Sequence, residues 1–140
     1  MTPALKLDAD AVNALLRRAF PGASSQFFPT VTELADGYVH VVLPYHDGML
    51  RPGRLISGPT LMGHADTAAY ALVLAHVGDE LMAVTSSLLM NFLRGAQPGD
   101  IHAEGRLLRL GRRSAVCDIR LWTESPDRLA AQASVTYAIP

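Results

Sequence analysis

Val12, Leu15, Leu16 and Ala19 recur at helical spacing between Asp8 and Phe20, which predicts a short amphipathic helix over 8–20. Asp8 or Asp10 can cap its start, Arg17 and Arg18 suit the negative end of its dipole, and Pro21-Gly22 stops it. Thr30 to Ala35 and Tyr38 to Tyr45 read as the arms of a β-hairpin, because Asp36-Gly37 accepts the positive φ of a tight turn. His46 to Arg54 reads as a loop punctuated by Gly48, Pro52 and Gly53. A second helix is predicted over about 59–77. Pro59 costs nothing in a first turn, and Gly78 is a natural C′ residue. Its apolar positions (Leu61, Ala65, Ala68, Leu72 and Ala75 among them) wrap nearly round the surface, so this helix should be largely enclosed.

Four strands should follow, over 81–93, 100–110, 114–123 and 128–139, with turns at Gln97-Pro98-Gly99, Gly111-Arg112-Arg113 and Ser125-Pro126-Asp127. Strands joined by short loops pair antiparallel, so an antiparallel meander is expected. The predicted class is α+β, with a long central helix wrapped by a curved antiparallel sheet.

Composition narrows the function. At 140 residues and 15.0 kDa, a single domain over 1–140 is expected. A formal net charge of −1 and a pI near 6.5 lack the basic footprint of a nucleic-acid binder. Hydrophobic residues make up 49%, too many for disorder, and charged residues only 18%, which suggests that part of the surface is covered by another subunit. The lone Cys117 rules out an internal disulfide framework and lies in an alternating segment, as a buried inert thiol would. The longest apolar run, Ala68 to Val77, is short for a membrane span and contains Tyr70 and His76. Met1 to Asp10 holds no apolar signal core, so no membrane partner and a cytoplasmic location are expected. No histidine pair has metal-ligand spacing, so no metal is expected. No G-x-S-x-G is present.

Asp66 is the anomaly, a carboxylate inside the most apolar helix of the chain. A carboxylate taken from water costs free energy unless paired, and it holds a proton more readily, as a general base needs. The alternative is a solvent-facing Asp66 bonded to Thr67 or Tyr70. Ser57-Gly58-Pro59 opens the same helix, either as a simple cap or as a backbone donor for a developing oxyanion. Gly58 and Asp66 are roughly 12 Å apart along one helix. They can meet at one reacting carbon only if two antiparallel helices of a homodimer place one helix's start beside the other's middle. His64 is two residues from Asp66 and cannot share its face, which favours a packed or interface role. Tyr70, four residues on, shares that face and can bond the carboxylate, line a pocket or simply pack.

From Ile56 to Pro140 the chain resembles the hotdog-fold acyl-CoA thioesterases of the phenylacetate-pathway (PaaI-like) type. The resemblance rests on Ser57-Gly58-Pro59 where that family shows His-Gly-Gly and on Gly63-His64-Ala65-Asp66-Thr67-Ala68 where it shows L-A-D-T-A. It continues through Thr85, Asn91-Phe92-Leu93-Arg94-Gly95-Ala96, Arg109-Leu110-Gly111-Arg112-Arg113 and Thr136-Tyr137-Ala138-Ile139-Pro140. It implies a hotdog fold and hydrolysis of an acyl-CoA thioester to free acid and coenzyme A. Asp66 would be base or nucleophile, the Gly58 amide would polarise the carbonyl, and Thr85 would hold the water or the acid. Ser57, Arg51, Thr60, Tyr70 and Asn91 would contact the acyl part, and Arg94, Arg112 and Arg113 the nucleotide and phosphates of coenzyme A. It implies a homodimer or a dimer of dimers, and no cofactor beyond the coenzyme A of the substrate. Three positions depart from the pattern. Ser57 replaces the histidine, and Pro59 removes one N–H from the helix start. Arg51 stands where an amide side chain is usual, and can pair with Asp66, bind an acidic substrate or remain a surface charge. A non-catalytic acyl-CoA binding protein is the alternative reading, and a hydratase or dehydratase a third.

Overall fold

A computed structural model describes residues 2–23 and 27–140. Helix α1 spans Ala9–Ala19 and is capped by Asp8, whose carboxylate accepts the Ala11 N–H at 2.9 Å. Val12, Leu15 and Leu16 are its buried stripe, as the periodicity requires. Strands β1 (Thr30–Ala35) and β2 (Tyr38–Leu43) form the expected hairpin, with Gly37 at φ 73°. The predicted loop carries more order than its glycines suggest. A 3-10 turn over Asp47–Met49 leads into a two-residue hairpin of β3 (Leu50–Arg51) and β4 (Leu55–Ile56).

Helix α2 spans Gly58–Val77. Ala65, Ala68, Ala69, Leu72, Val73 and Ala75 are fully buried in it, while Met62 stays 42% exposed. Strands β5 (Val84–Phe92), β6 (Ile101–Leu110), β7 (Ser114–Trp122) and β8 (Ala131–Ala138) follow. All the main strands join one antiparallel sheet in the order β1-β2-β6-β7-β8-β5. This is the long helix on a curved antiparallel sheet that the hotdog resemblance implies. Register shifts in β1, β5 and β6 are bulges, which bend the strands carrying them.

The meander needs one correction. β5 does not pair with β6; it crosses to the far edge of the sheet, beside β8, while β6 pairs with β2. The connection from Leu93 to Asp100 reaches ~25 Å when extended, and three strand spacings need only ~14 Å. The crossing leaves one long side of β5 unpaired.

Alternation along the sheet explains how α2 is enclosed. Val39 and Val41 of β2, Ala103 and Gly105 of β6, Cys117 and Ile119 of β7, and Ala133 and Val135 of β8 face the helix side. Two polar plugs lock the layers. Asn13 donates to the Val31 carbonyl at 3.1 Å and accepts the Val31 N–H at 2.8 Å, satisfying the backbone beside the β1 bulge. His76 accepts the Gly37 N–H at 2.9 Å through Nε2 and donates from Nδ1 to the Leu72 carbonyl, tying the hairpin turn to the end of α2.

Candidate active site

The start of α2 assigns its free N–H groups economically. Ser57 is the N-cap, and its Oγ accepts the Thr60 N–H at 3.3 Å while lying 2.7 Å from the Thr60 hydroxyl. The Leu61 N–H donates to the Ser57 carbonyl, and Pro59 has no N–H. Gly58, the first helical residue, therefore keeps the one backbone donor of this turn that the helix itself does not use. It opens on a cleft of about 400 Å³ shared with Arg51, Leu61, Phe92 and Arg94. A Cβ at Gly58 would lie 3.4 Å from the Phe92 ring.

Asp66 lies two turns further along α2, half-buried. Its Oδ1 accepts two hydroxyl protons, from Thr85 at 2.6 Å and from Tyr137 at 2.7 Å. The acid borders a separate cleft of about 600 Å³, with Tyr70, Phe20, Thr85 and Tyr137 in its wall. No residue lines both clefts. Gly58 and Asp66 of one chain therefore open on different clefts.

Tyr70 donates to the Leu81 carbonyl at 2.8 Å and not to Asp66. It packs in the buried core with its hydroxyl satisfied, and its edge also forms part of the cleft wall. Its ring stacks on that of Tyr137, centroids 5.7 Å apart, and meets Phe20 edge-on. Burial, with a smaller contribution from the Asp66 charge and its hydrogen bond, pushes the Tyr137 hydroxyl far above its ordinary range, so it remains a protonated donor. Sequence reasoning placed Tyr137 in the last strand's motif but gave it no role. The available signal was alternation, because it shares the core-facing side of β8 with Ala133 and Val135, where a lone hydroxyl needs a partner.

The other predicted residues divide by position. Arg51 lies with Gly58 and makes no ion pair with Asp66 of the same chain. Ser57 and Thr60 are engaged in the helix cap. Asn91 pairs with Gln132 and donates to its side chain at 3.1 Å on the outer face of the sheet, where strand alternation turns it away from Met90 and Phe92. Arg94 is exposed beside the Gly58 cleft and donates from Nε to the Leu129 carbonyl. Arg112 and Arg113 are exposed in the turn between β6 and β7, at the Tyr137 end of the sheet, where the Ile139 N–H donates to the Arg113 carbonyl.

Two nearby groups are excluded from the chemistry by burial. Cys117 is fully buried and its thiol is pushed up to about 12. His64 is buried against β2, donates from Nε2 to the Val41 carbonyl at 3.1 Å, and is pushed down to about 4 by burial. No group of three or more metal-ligating side chains converges among the described residues. No helix among them is long and apolar enough to cross a membrane.

Comparison with known proteins agrees with this fold. Residues 53–137 match the thioesterase superfamily. A Saccharolobus solfataricus protein named "putative esterase" is 30% identical over 109 residues, covering 78% of this chain and 76% of its own. A solved structure from Silicibacter sp. TM1040, described as a "putative thioesterase", is 36% identical with a TM-score of 0.87, covering 100% of this chain and 96% of that one. A Ralstonia eutropha structure described as a phenylacetic acid degradation-related protein superposes with a TM-score of 0.75 at 24% identity, covering 89% of this chain and 98% of its own, and speaks for the fold.

Proposed function

We propose, from the premise that this chain belongs to the thioesterase superfamily, that it hydrolyses acyl-CoA thioesters in a cleft built by two copies of itself, with Asp66 as the reactive acid. The observation that carries this reading is the separation of the two candidate groups. Asp66 and Gly58 sit on one helix but open into different clefts.

The free side of β5 offers a way to join them. It is nine residues long and bears exposed Val84, Leu89 and Phe92. An unpaired apolar edge of this length is a template for another strand. Its Val84 end lies beside Thr85 and Asp66, and its Phe92 end beside Gly58. Antiparallel pairing of two β5 edges about a two-fold axis would bring the Val84 end of one copy to the Phe92 end of the other. Asp66 would then face Gly58 of the partner subunit. Arg112 and Arg113 from the Asp66 end, and Arg94 of the partner subunit, would approach one cleft mouth, where guanidinium groups suit coenzyme A phosphates.

In that cleft the Gly58 amide, aided by the positive end of α2, would stabilise charge on the thioester oxygen. With Pro59 next to it and the Thr60 N–H capped, it would act as a single donor. Asp66 would either take a proton from water as the water oxygen bonds to the acyl carbon, or attack that carbon itself and be released by water. In both routes the carbon–sulfur bond breaks, and coenzyme A leaves as a thiol with a proton derived from the water. Thr85 holds the acid in the structure, and Tyr70, Phe20 and Met82 would meet the acyl group.

Thiol release over a panel of short, long and aromatic acyl-CoAs tests the proposal. Asp66→Ala, checked by light scattering to have kept the wild-type assembly, should lose about 10²–10⁴-fold in turnover. Undiminished turnover in that variant would remove Asp66 from the mechanism. Tight binding of a CoA thioester without thiol release by the wild type would favour the non-catalytic reading.

A further inference from the structure

Thr85 and Tyr137 are direct cross-strand partners on β5 and β8. Both aim hydroxyl groups at α2, and both reach the same atom, Asp66 Oδ1, at 2.6 Å and 2.7 Å. Oδ2 accepts no hydrogen bond among the described residues. We propose that Tyr137 is a positioning residue for Asp66, its hydroxyl and that of Thr85 fixing Oδ1 so that Oδ2 is the oxygen presented to the cleft. The inference rests on reading Asp66 as the reactive acid.

The terminal torsion of an aspartate is soft, and a half-buried carboxylate held at one point can still swing. A two-donor fork from adjacent strands removes that freedom, and a catalytic group is effective only when held close to its productive orientation. The fork is itself held. The Tyr137 ring is buried and stacks on Tyr70 at an interplanar angle of 20°, and the Tyr70 hydroxyl is tied to the Leu81 carbonyl. The Tyr137 hydroxyl also lies 3.1 Å from the Asp66 carbonyl oxygen, so it is registered against the helix backbone as well as the side chain. Thr85 alone cannot supply this anchoring. It sits at a bulge in β5, whereas Tyr137 lies in the regularly paired part of β8, between β7 and β5.

Tyr137→Phe keeps the stacked ring and removes only the hydroxyl. With melting behaviour close to wild type, kcat for thiol release should fall roughly 10- to 100-fold. KM should stay within about twofold. In an Asp66→Asn background the same substitution should cost nothing further. An unchanged kcat would overturn the assignment. So would an equal loss in the Asp66→Asn background, or a raised KM with kcat intact.

A second readout does not depend on turnover. In protein labelled with ¹³C at the tyrosine ζ carbons, the Tyr137 resonance, assigned by its absence in Tyr137→Phe, should move on Asp66→Asn. A resonance that stays in place would overturn the hold. If it moves while the wild type releases no thiol from any acyl-CoA, the acyl-CoA reading fails and the hold of Tyr137 on Asp66 stands.

Discussion

Gly58 and Asp66 share helix α2 but face different clefts, and no side chain in the wall of one borders the other. The proposed site, with one group from each of two copies, has a simple signature. Gly58→Pro removes the free amide at a helix position that tolerates proline, and Asp66→Ala removes the acid. Each homogeneous variant should be inactive. Mixed from the unfolded state in equal amounts, half the dimers are hybrids with one intact site of two, so activity should return to about a quarter of wild type. Absence of recovery, with hybrids demonstrated by mass spectrometry, would place both groups in one chain's site.

The cap of α2 is a stability element as well as a part of the donor arrangement. Ser57 satisfies the Thr60 N–H and lies 2.7 Å from the Thr60 hydroxyl. Ser57→Ala should cost about 1 kcal/mol. Urea unfolding would register this as a lower midpoint at an unchanged slope.

His64 makes folding pH-dependent. Burial holds its imidazole down at about 4, against 6.5 for an unperturbed histidine. The unfolded chain therefore takes up the proton first as pH falls. The stability tied to neutral His64 is complete above about pH 6.5 and is lost progressively towards pH 4, up to about 3 kcal/mol. His64→Leu removes the titration together with an Nδ1 that has no hydrogen-bond partner among the described residues. Its plot of unfolding free energy against pH should be flatter than wild type across that window, and parallel curves would refute this.

Gly105 is tightly packed between its sheet neighbours and α2. A Cβ there would meet Ile119 Cδ1 at 2.9 Å, Val39 Cγ1 at 3.0 Å and Leu72 Cδ2 at 3.3 Å. Gly105→Ala should destabilise the protein by about 1–3 kcal/mol through overpacking. Thermal melting measures this, and an unshifted midpoint would mean that the three side chains give way freely.

Much of the fold was legible because it rests on short-range patterns. The Asp8 cap, the Asp36-Gly37 turn, the Ser57-Gly58-Pro59 helix start and the Gly78 stop are each set by residues within a few positions of one another. Asp66 stood out for a local reason too, as a charge inside an apolar helix. The β3–β4 hairpin went unread because two-residue strands are too short to show a period. The face on which Asn91 lies was not legible, because a motif marks a position in the chain, whereas the pleat decides which face that position serves.

From the residues alone came the α+β class, the enclosed helix and the acid within it. The tertiary structure alone decided that β5 lies at the far edge beside β8, that Tyr70 is tied to Leu81, and that Tyr137, 71 residues from Asp66, grips its carboxylate. Helical and strand periods carry information over a few residues. A hydrogen bond spanning half the chain depends on which strands become neighbours and in what register, and only the packed sheet specifies that.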